Sequence, residues 1–372
     1  MKTGLLIISH GSRDFSWTAL VDEAIAQADW PDHVPVASSF LECVPGRDIQ
    51  DGIHALEAQG VERIAVIPLF VSEGSTHVDE IAWALGVKAE PLIETDLEPF
   101  QVEAELIYGS PLGEHEALYE MLAHQLRELQ VDGERDAVML VAHGSPHEPF
   151  QTRWKESLER MAERLTSRGF CLKAHYSLLC CDDIAARTLQ LAQEVQASSS
   201  HFTYLHEQDR NIHIEHVNDN ELAVHGEDQA SAAFECRVAV IPLFLSRGYF
   251  TTHVIPSRLQ GLLDKSRNLT HDPHEKAAGE ASSADEGMEK AYVAVKASVN
   301  GAALLSTDSD QELEGVDAEL SSNEETGGKM QGTASKTTLS VLVSYDGTPL
   351  LPHAALTTWL EQEARRLLSA WH

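Results

Sequence analysis

Apolar residues run together at Leu5-Leu6-Ile7-Ile8 and are followed at once by Ser9-His10-Gly11-Ser12. Four consecutive apolar positions suit a strand buried on both faces of a parallel sheet. His-Gly-Ser then supplies a tight turn into a helix. Beyond it the period changes. Trp17, Leu20, Val21, Ala24, Ile25 and Ala28 fall on one face of a helix predicted over 16–28, with Pro31 and Pro35 closing it. The alternation continues with a strand at 36–41, a helix at 49–59 stopped by Gly60, a strand at 63–70 and a loop from Val71 to His77. A helix at 78–85, a strand at 102–107 and a helix at 117–129 complete the series. Strands that alternate with helices build a layered α/β domain around a parallel sheet.

The opening phrase returns as Val138-Met139-Leu140-Val141-Ala142-His143-Gly144-Ser145. Further matches follow in the same order. Ser177-Leu178-Leu179-Cys180 answers Ser39-Phe40-Leu41-Glu42, and Ile241-Pro242-Leu243-Phe244 repeats Ile67-Pro68-Leu69-Phe70. His253-Val254 answers His77-Val78, and the stretch from Thr348 to Leu356 answers that from Ser110 to Leu118. The spacing between matching residues widens between Cys180 and Ile241, and again between His253 and His353. The chain is therefore expected to hold two tandem Rossmann-like domains, 1–132 and 133–372, with polar insertions near 196–235 and 265–336 in the second. These insertions carry few aromatics and are expected to be surface loops, largely disordered. The apolar run at 291–299 is the exception, a short strand or helix.

Length and charge narrow the partners. A chain of 372 residues accommodates two or three domains at about 150 residues each. A formal charge of -32 argues against nucleic acid and anionic membranes, which need a basic face. Five cysteines, none in a C-x-x-C pair, give no support to an iron–sulfur cluster or zinc ribbon, and the odd count favours a reducing compartment. No run approaches the roughly 18 apolar residues of a membrane span, and the N-terminal run is too short for a signal sequence. A cytoplasmic location is expected.

His10, Glu42 and His77 fall at or just beyond carboxyl ends of predicted strands, and in a parallel sheet these ends face one side. Taken singly, each reads as a turn, cap or solvated residue. Jointly, two imidazoles and a carboxylate suit a divalent metal such as Fe, Co, Ni or Zn, with coordination positions left open for a metal that is handed on. The histidine-rich tract with His201, His206, His213, His216 and His225 is a second candidate for metal binding. A non-catalytic metal carrier or storage protein would use the same features.

The combination of His10-Gly11-Ser12-Arg13 after a strand, Ser39-Phe40-Leu41-Glu42, Ile67-Pro68-Leu69-Phe70 with His77 downstream, and Pro111-Leu112-Gly113-Glu114-His115 resembles the sirohydrochlorin chelatases, the class II tetrapyrrole chelatases. The resemblance covers residues 1–130 well and the second half more loosely. It implies two Rossmann-like domains facing across a cleft. It also implies insertion of Co²⁺ or Fe²⁺ as substrate into a tetrapyrrole, for cobalamin or siroheme synthesis, without ATP. The absence of a G-x-x-x-x-G-K-[ST] phosphate loop agrees with the last point. A nickel-inserting relative is the nearest alternative. The resemblance places metal ligation and catalysis on His10 and His77, with Glu42 as acidic helper that binds metal, orients an imidazole or takes a proton.

A poly-carboxylated substrate sits awkwardly with the negative charge. Ser12, Arg13 and the N–H groups after Gly11 are candidates for holding its carboxylates, with Arg47, Arg153 and Arg247 as further ones. In the second copy, His143, Cys180 and His253 stand at the matching positions, with a thiol in place of the carboxylate. Cys180 is expected to be a buried apolar filler. The first half is expected to hold the working site while the second closes the cleft. Two fused copies form that cleft within one chain, so a monomer is expected.

Overall fold

The structure is a computed structural model that describes residues 1–210, 235–260, 292–298 and 338–371. Its first half alternates strictly: β1 (Thr3–Ser9), α1 (Phe15–Ala26), β2 (Val36–Phe40), α2 (Ile49–Glu57), β3 (Arg63–Pro68), α3 (Thr76–Ala84), β4 (Glu105–Tyr108) and α4 (Glu116–Glu128). The strands form a four-stranded sheet of order β2-β1-β3-β4, parallel throughout. The second half holds β5 (Ala137–Ala142), α5 (Phe150–Ser167), β6 (Lys173–Leu178), α6 (Ile184–Arg210), β7 (Glu235–Pro242), β8 (Tyr292–Ser298), β9 (Thr338–Ser344) and α7 (Ala354–Ser369). Its sheet has the order β6-β5-β7-β9-β8. The first four strands repeat the parallel topology of the first half, and β8 adds an antiparallel edge.

Each central strand is apolar on both faces because each face is covered. In β1, Leu5 and Ile7 point to one core and Leu6 and Ile8 to another; in β5, Val138 and Leu140 part from Met139 and Val141 in the same way. One core is common to both halves. It joins the inner faces of the two sheets through Val21 and Ile25 of α1, Leu118 and Leu122 of α4, Leu158 and Met161 of α5, and Trp359 and Leu360 of α7. The outer faces are covered by α2 and α3 on the first sheet, and by α6 and helical residues 255–260 on the second.

The two halves thus share one packed core as well as a cleft. Polar ties reinforce the packing. Glu363 of α7 accepts from the Ser110 backbone N–H at 3.1 Å, Glu361 accepts from Asp29 N–H at 2.8 Å, and Arg160 of α5 donates to both oxygens of Glu114. The division proposed at 132/133 falls in the connection between α4 and β5.

Two sequence expectations change and one alternative is resolved. Helix α6 runs to Arg210, so the first insertion is helical at its start; the long apolar-periodic stretch before it lets the helix continue past Gln196. In the second insertion the apolar run at 292–298 takes the first of its two expected forms, a strand paired with β9, in keeping with its Tyr and Val residues. Finally, α3 begins at Thr76, so His77 lies in the first helical turn and not in the preceding loop. The rest of both insertions lies outside the described residues. Among those described, no helix is long and apolar enough to cross a membrane.

Candidate metal centre and cleft

At the carboxyl end of β1 the chain turns through Gly11, which has φ +95°. A Cβ there would sit 2.0 Å from the Glu42 carbonyl oxygen, so both the left-handed backbone and the close approach demand glycine. The approach is stitched by backbone bonds: Leu41 N–H donates to Ser9 C=O at 2.9 Å and Glu42 N–H to His10 C=O at 3.1 Å. His10 and Glu42 are thereby fixed side by side, with Nδ1 and Oε1 3.7 Å apart.

His77 arrives from the neighbouring strand. The loop after β3 leads into α3, and its second residue places an imidazole edge-on to that of His10, with ring centroids 4.8 Å apart and an interplanar angle of 80°. Phe70 lies 6.2 Å behind His77. Each ring is anchored through the same nitrogen. His10 Nδ1 meets the Gly11 carbonyl at 3.1 Å, and His77 Nδ1 meets Glu80 Oε1 at 2.5 Å. Both partners are acceptors, so each Nδ1 carries a proton, and in the neutral ring each Nε2 keeps a free lone pair. Burial lowers the His10 pKa from its ordinary value, and His77 nearby lowers it further, against the opposing pull of Gly11 and Glu42.

Glu80 went unnoticed in the sequence. Its signal is the spacing His77–Glu80, one helical turn, which puts both side chains on one face. Thr95 Oγ1 donates to its second oxygen at 2.5 Å. Burial raises the Glu80 pKa, but the bonds from His77 and Thr95 prevail and hold it below the usual carboxylate value.

The predicted three-residue set is only partly assembled. His10 and His77 converge on one cleft, while exposed Glu42 opens onto an adjacent hollow with Arg13, Cys43 and Asp48. Among the described residues no three His, Cys, Asp or Glu side chains gather where they could hold one metal ion. Ser12 lines the cleft and Arg13 does not. Two of the amides at the start of α1 are already used: Asp14 accepts from Ser16 N–H at 2.9 Å, and Ser12 Oγ accepts from Asp14 N–H at 3.1 Å. Asp14 outcompetes an external carboxylate because it is tethered there. Arg47 is likewise engaged, bound to both oxygens of Asp22, and Arg247 donates to the Asp346 carbonyl.

The cleft measures about 530 Å³ and takes its walls from both halves, including His10, His77, Trp154, His143, Phe244 and Phe250. The second half repeats the first half's backbone. Gly144 has φ +75°, Cys180 N–H donates to His143 C=O at 3.1 Å, and His143 Nδ1 meets the Gly144 carbonyl at 3.0 Å. Its side chains differ.

The residue edge-on to His143 is Phe250, at 4.9 Å and 86°, with Phe244 behind it at 5.9 Å. Position 250 therefore takes the place of His77, and the expected equivalence of His253 is corrected. A π-helical turn spans Phe250–Val254 and carries His253 away, where it stacks on Tyr249 at 5.4 Å and meets Thr252 Oγ1 at 2.7 Å. Cys180 is exposed, not buried as expected. It forms a disulfide with Cys181, an adjacent residue, so the bond closes no loop of chain. His201 and His206 of the histidine tract lie on the last turns of α6; His213, His216 and His225 lie outside the described residues.

The family described as CbiX matches residues 4–129. A sirohydrochlorin cobaltochelatase of Methanothermobacter thermautotrophicus is 30% identical over 133 residues, which cover 34% of this chain and 92% of that one. The chain belongs to the sirohydrochlorin chelatase family. Another sirohydrochlorin cobaltochelatase, from Methanopyrus kandleri, is 27% identical over 138 residues, covering 33% of this chain and 94% of that one. Among solved structures, "SirB from Bacillus subtilis with Fe3+" is 19% identical with a TM-score of 0.46, covering 71% of this chain and 84% of that one. The family match falls on the half of the chain that carries His10, Glu42 and His77.

Proposed function

We propose that this protein inserts a divalent metal ion, Co²⁺ or Fe²⁺, into sirohydrochlorin without ATP. The observation that carries this reading is the His10–His77 pair. Two imidazoles stand edge-on to one another in a shared cleft, each anchored by Nδ1, so that in the neutral rings each Nε2 is free. Two neutral nitrogen donors suit a first-row divalent ion, and a site with so few protein ligands leaves positions at which a macrocycle's nitrogens can displace them.

The metal is substrate here. Its transfer into the ring releases two N–H protons from the pyrroles. Holding the ion and macrocycle together in one cleft removes most of the entropic cost of their encounter. His10 and His77, having given up the metal, each regain a lone pair and together can accept the two pyrrole protons. Glu42, 3.7 Å from His10 Nδ1 and open to the adjacent hollow, is better placed to relay a proton than to complete the ligand set. Both walls come from one chain, so a single copy suffices.

The test is anaerobic incubation of the purified protein with sirohydrochlorin and Co²⁺, Fe²⁺ or Ni²⁺, followed by absorbance, beside His10→Ala. Metal-dependent conversion that the variant loses is the expected result, and relative rates rank the metals. Tight metal binding with conversion no faster than the protein-free rate would make the protein a carrier instead.

A further inference from the structure

Two of the large apolar side chains left exposed among the described residues are neighbours, Tyr249 at 69% and Phe250 at 36%, and both line the cleft. Both rings offer apolar surface to the space that His10 and His77 share. Phe250 is also held firmly. Phe244 stacks on it with an interplanar angle of 21°, Tyr249 meets it edge-on at 6.0 Å, and His143 stands edge-on to it. The turn under His143 copies the one under His10, yet the ring that faces His143 has no donor atom.

We infer that Phe250, backed by Phe244 and flanked by Tyr249, is the stacking surface for a flat conjugated macrocycle, so that the second half binds the tetrapyrrole while the first holds the metal. This rests on the proposed chelatase reading. A rigid aromatic ring rewards a flat π-ligand by offset or edge contact and gives nothing to a hydrated ion. The division of labour follows from the cleft. Both walls face one space, so a macrocycle resting against Phe250 lies within the volume onto which His10 and His77 open. With imidazoles on both walls, metal would be held twice and the ring nowhere; the exchange of His for Phe removes that competition.

The test separates the two ligands. Binding of metal-free sirohydrochlorin is followed by quenching of its fluorescence, and binding of Co²⁺ alone by calorimetry. In Phe250→Ala the macrocycle Kd is expected to rise about 10-fold or more, as when a stacked ring is removed beneath a base. The Co²⁺ Kd should stay at the wild-type value. Phe250→Leu keeps the apolar volume without the ring and should fall between, and an unchanged Tm for each variant shows that the fold is intact. Phe250→His should add a second Co²⁺ equivalent, bound beside His143.

An unchanged macrocycle Kd in Phe250→Ala overturns the inference and leaves the chelatase reading standing, as does a Co²⁺ Kd that weakens equally. Failure of the wild type to bind sirohydrochlorin at all overturns both. Binding that depends on Phe250 without metal insertion keeps the inference and removes the chelatase reading.

Discussion

In the first half, His10 stands edge-on to His77 at 4.8 Å with Phe70 behind. In the second, His143 stands edge-on to Phe250 at 4.9 Å with Phe244 behind. The two turns share their glycine, their backbone bonds to the neighbouring strand and the Nδ1 anchor of the first histidine. What has changed is the side chains, and three of the changes bear on the paired rings. His77 gives way to Phe250, Glu42 to Cys180, and Glu80, one turn after His77, to His253, one turn after Phe250. Backbone geometry is protected in both copies because a Cβ on Gly11 would strike the Glu42 carbonyl oxygen and one on Gly144 would strike Cys180 Sγ. Side chains that face solvent in the cleft bear no such constraint, so one backbone presents two different sets of groups.

If the donor atoms make the difference, removing them from the first half has the largest effect. His10→Ala should weaken Co²⁺ binding by more than the roughly 10–100-fold that an outer partner is worth. A calorimetric titration that finds wild-type affinity would erase the contrast between the halves. Glu80→Ala comes next, with a loss of about 10–100-fold, because His77 would be free to turn and to carry its proton on Nε2. Glu80→Gln keeps an acceptor and should lose less. Unchanged Co²⁺ affinity in Glu80→Ala would mean that His77 needs no orienting carboxylate.

Much of this was legible from the chain. The buried strands Leu5–Ile8 and Val138–Ala142 announce themselves because no polar residue interrupts them, and His-Gly-Ser marks the turn after each. The doubling, and the meeting of His10 with His77, follow from strand order in a parallel sheet. Other features depend on geometry that periodicity does not encode. The π-helical turn at Phe250–Val254 shifts the register after Gly248, so the dipeptide His253-Val254 looks like His77-Val78 while a different residue takes the place. The shared core was hidden because α1, α4, α5 and α7 show the same amphipathic stripe whether they cover one sheet or lie between two. Asp14 caps α1 by accepting from Ser16 N–H, a role its position before the helix allows and the sequence reading passed over. The direction of Glu42 was open because its strand-end position fixes the backbone and leaves a flexible side chain free to face either hollow.

The smallest effect is expected at His143. It shares the cleft with His10, and its charge adds only the last of the influences lowering the His10 pKa. It has Phe250, and no second imidazole, beside it. One anchored nitrogen is a weak site for a hydrated ion, since a single bond must offset the loss of metal-bound water. His143→Ala should therefore leave the Co²⁺ Kd within about threefold of wild type, the scale of a charge effect screened through solvent. Cys180→Ala should do the same, because Cys180 is exposed at the position that Glu42 holds in the first half and has no imidazole pair to serve. A loss at His143 equal to that of His10→Ala, measured in the same titration, would mean that the metal is held between the halves. The walls would then be partners in ligation, and Phe250 a spacer between donors.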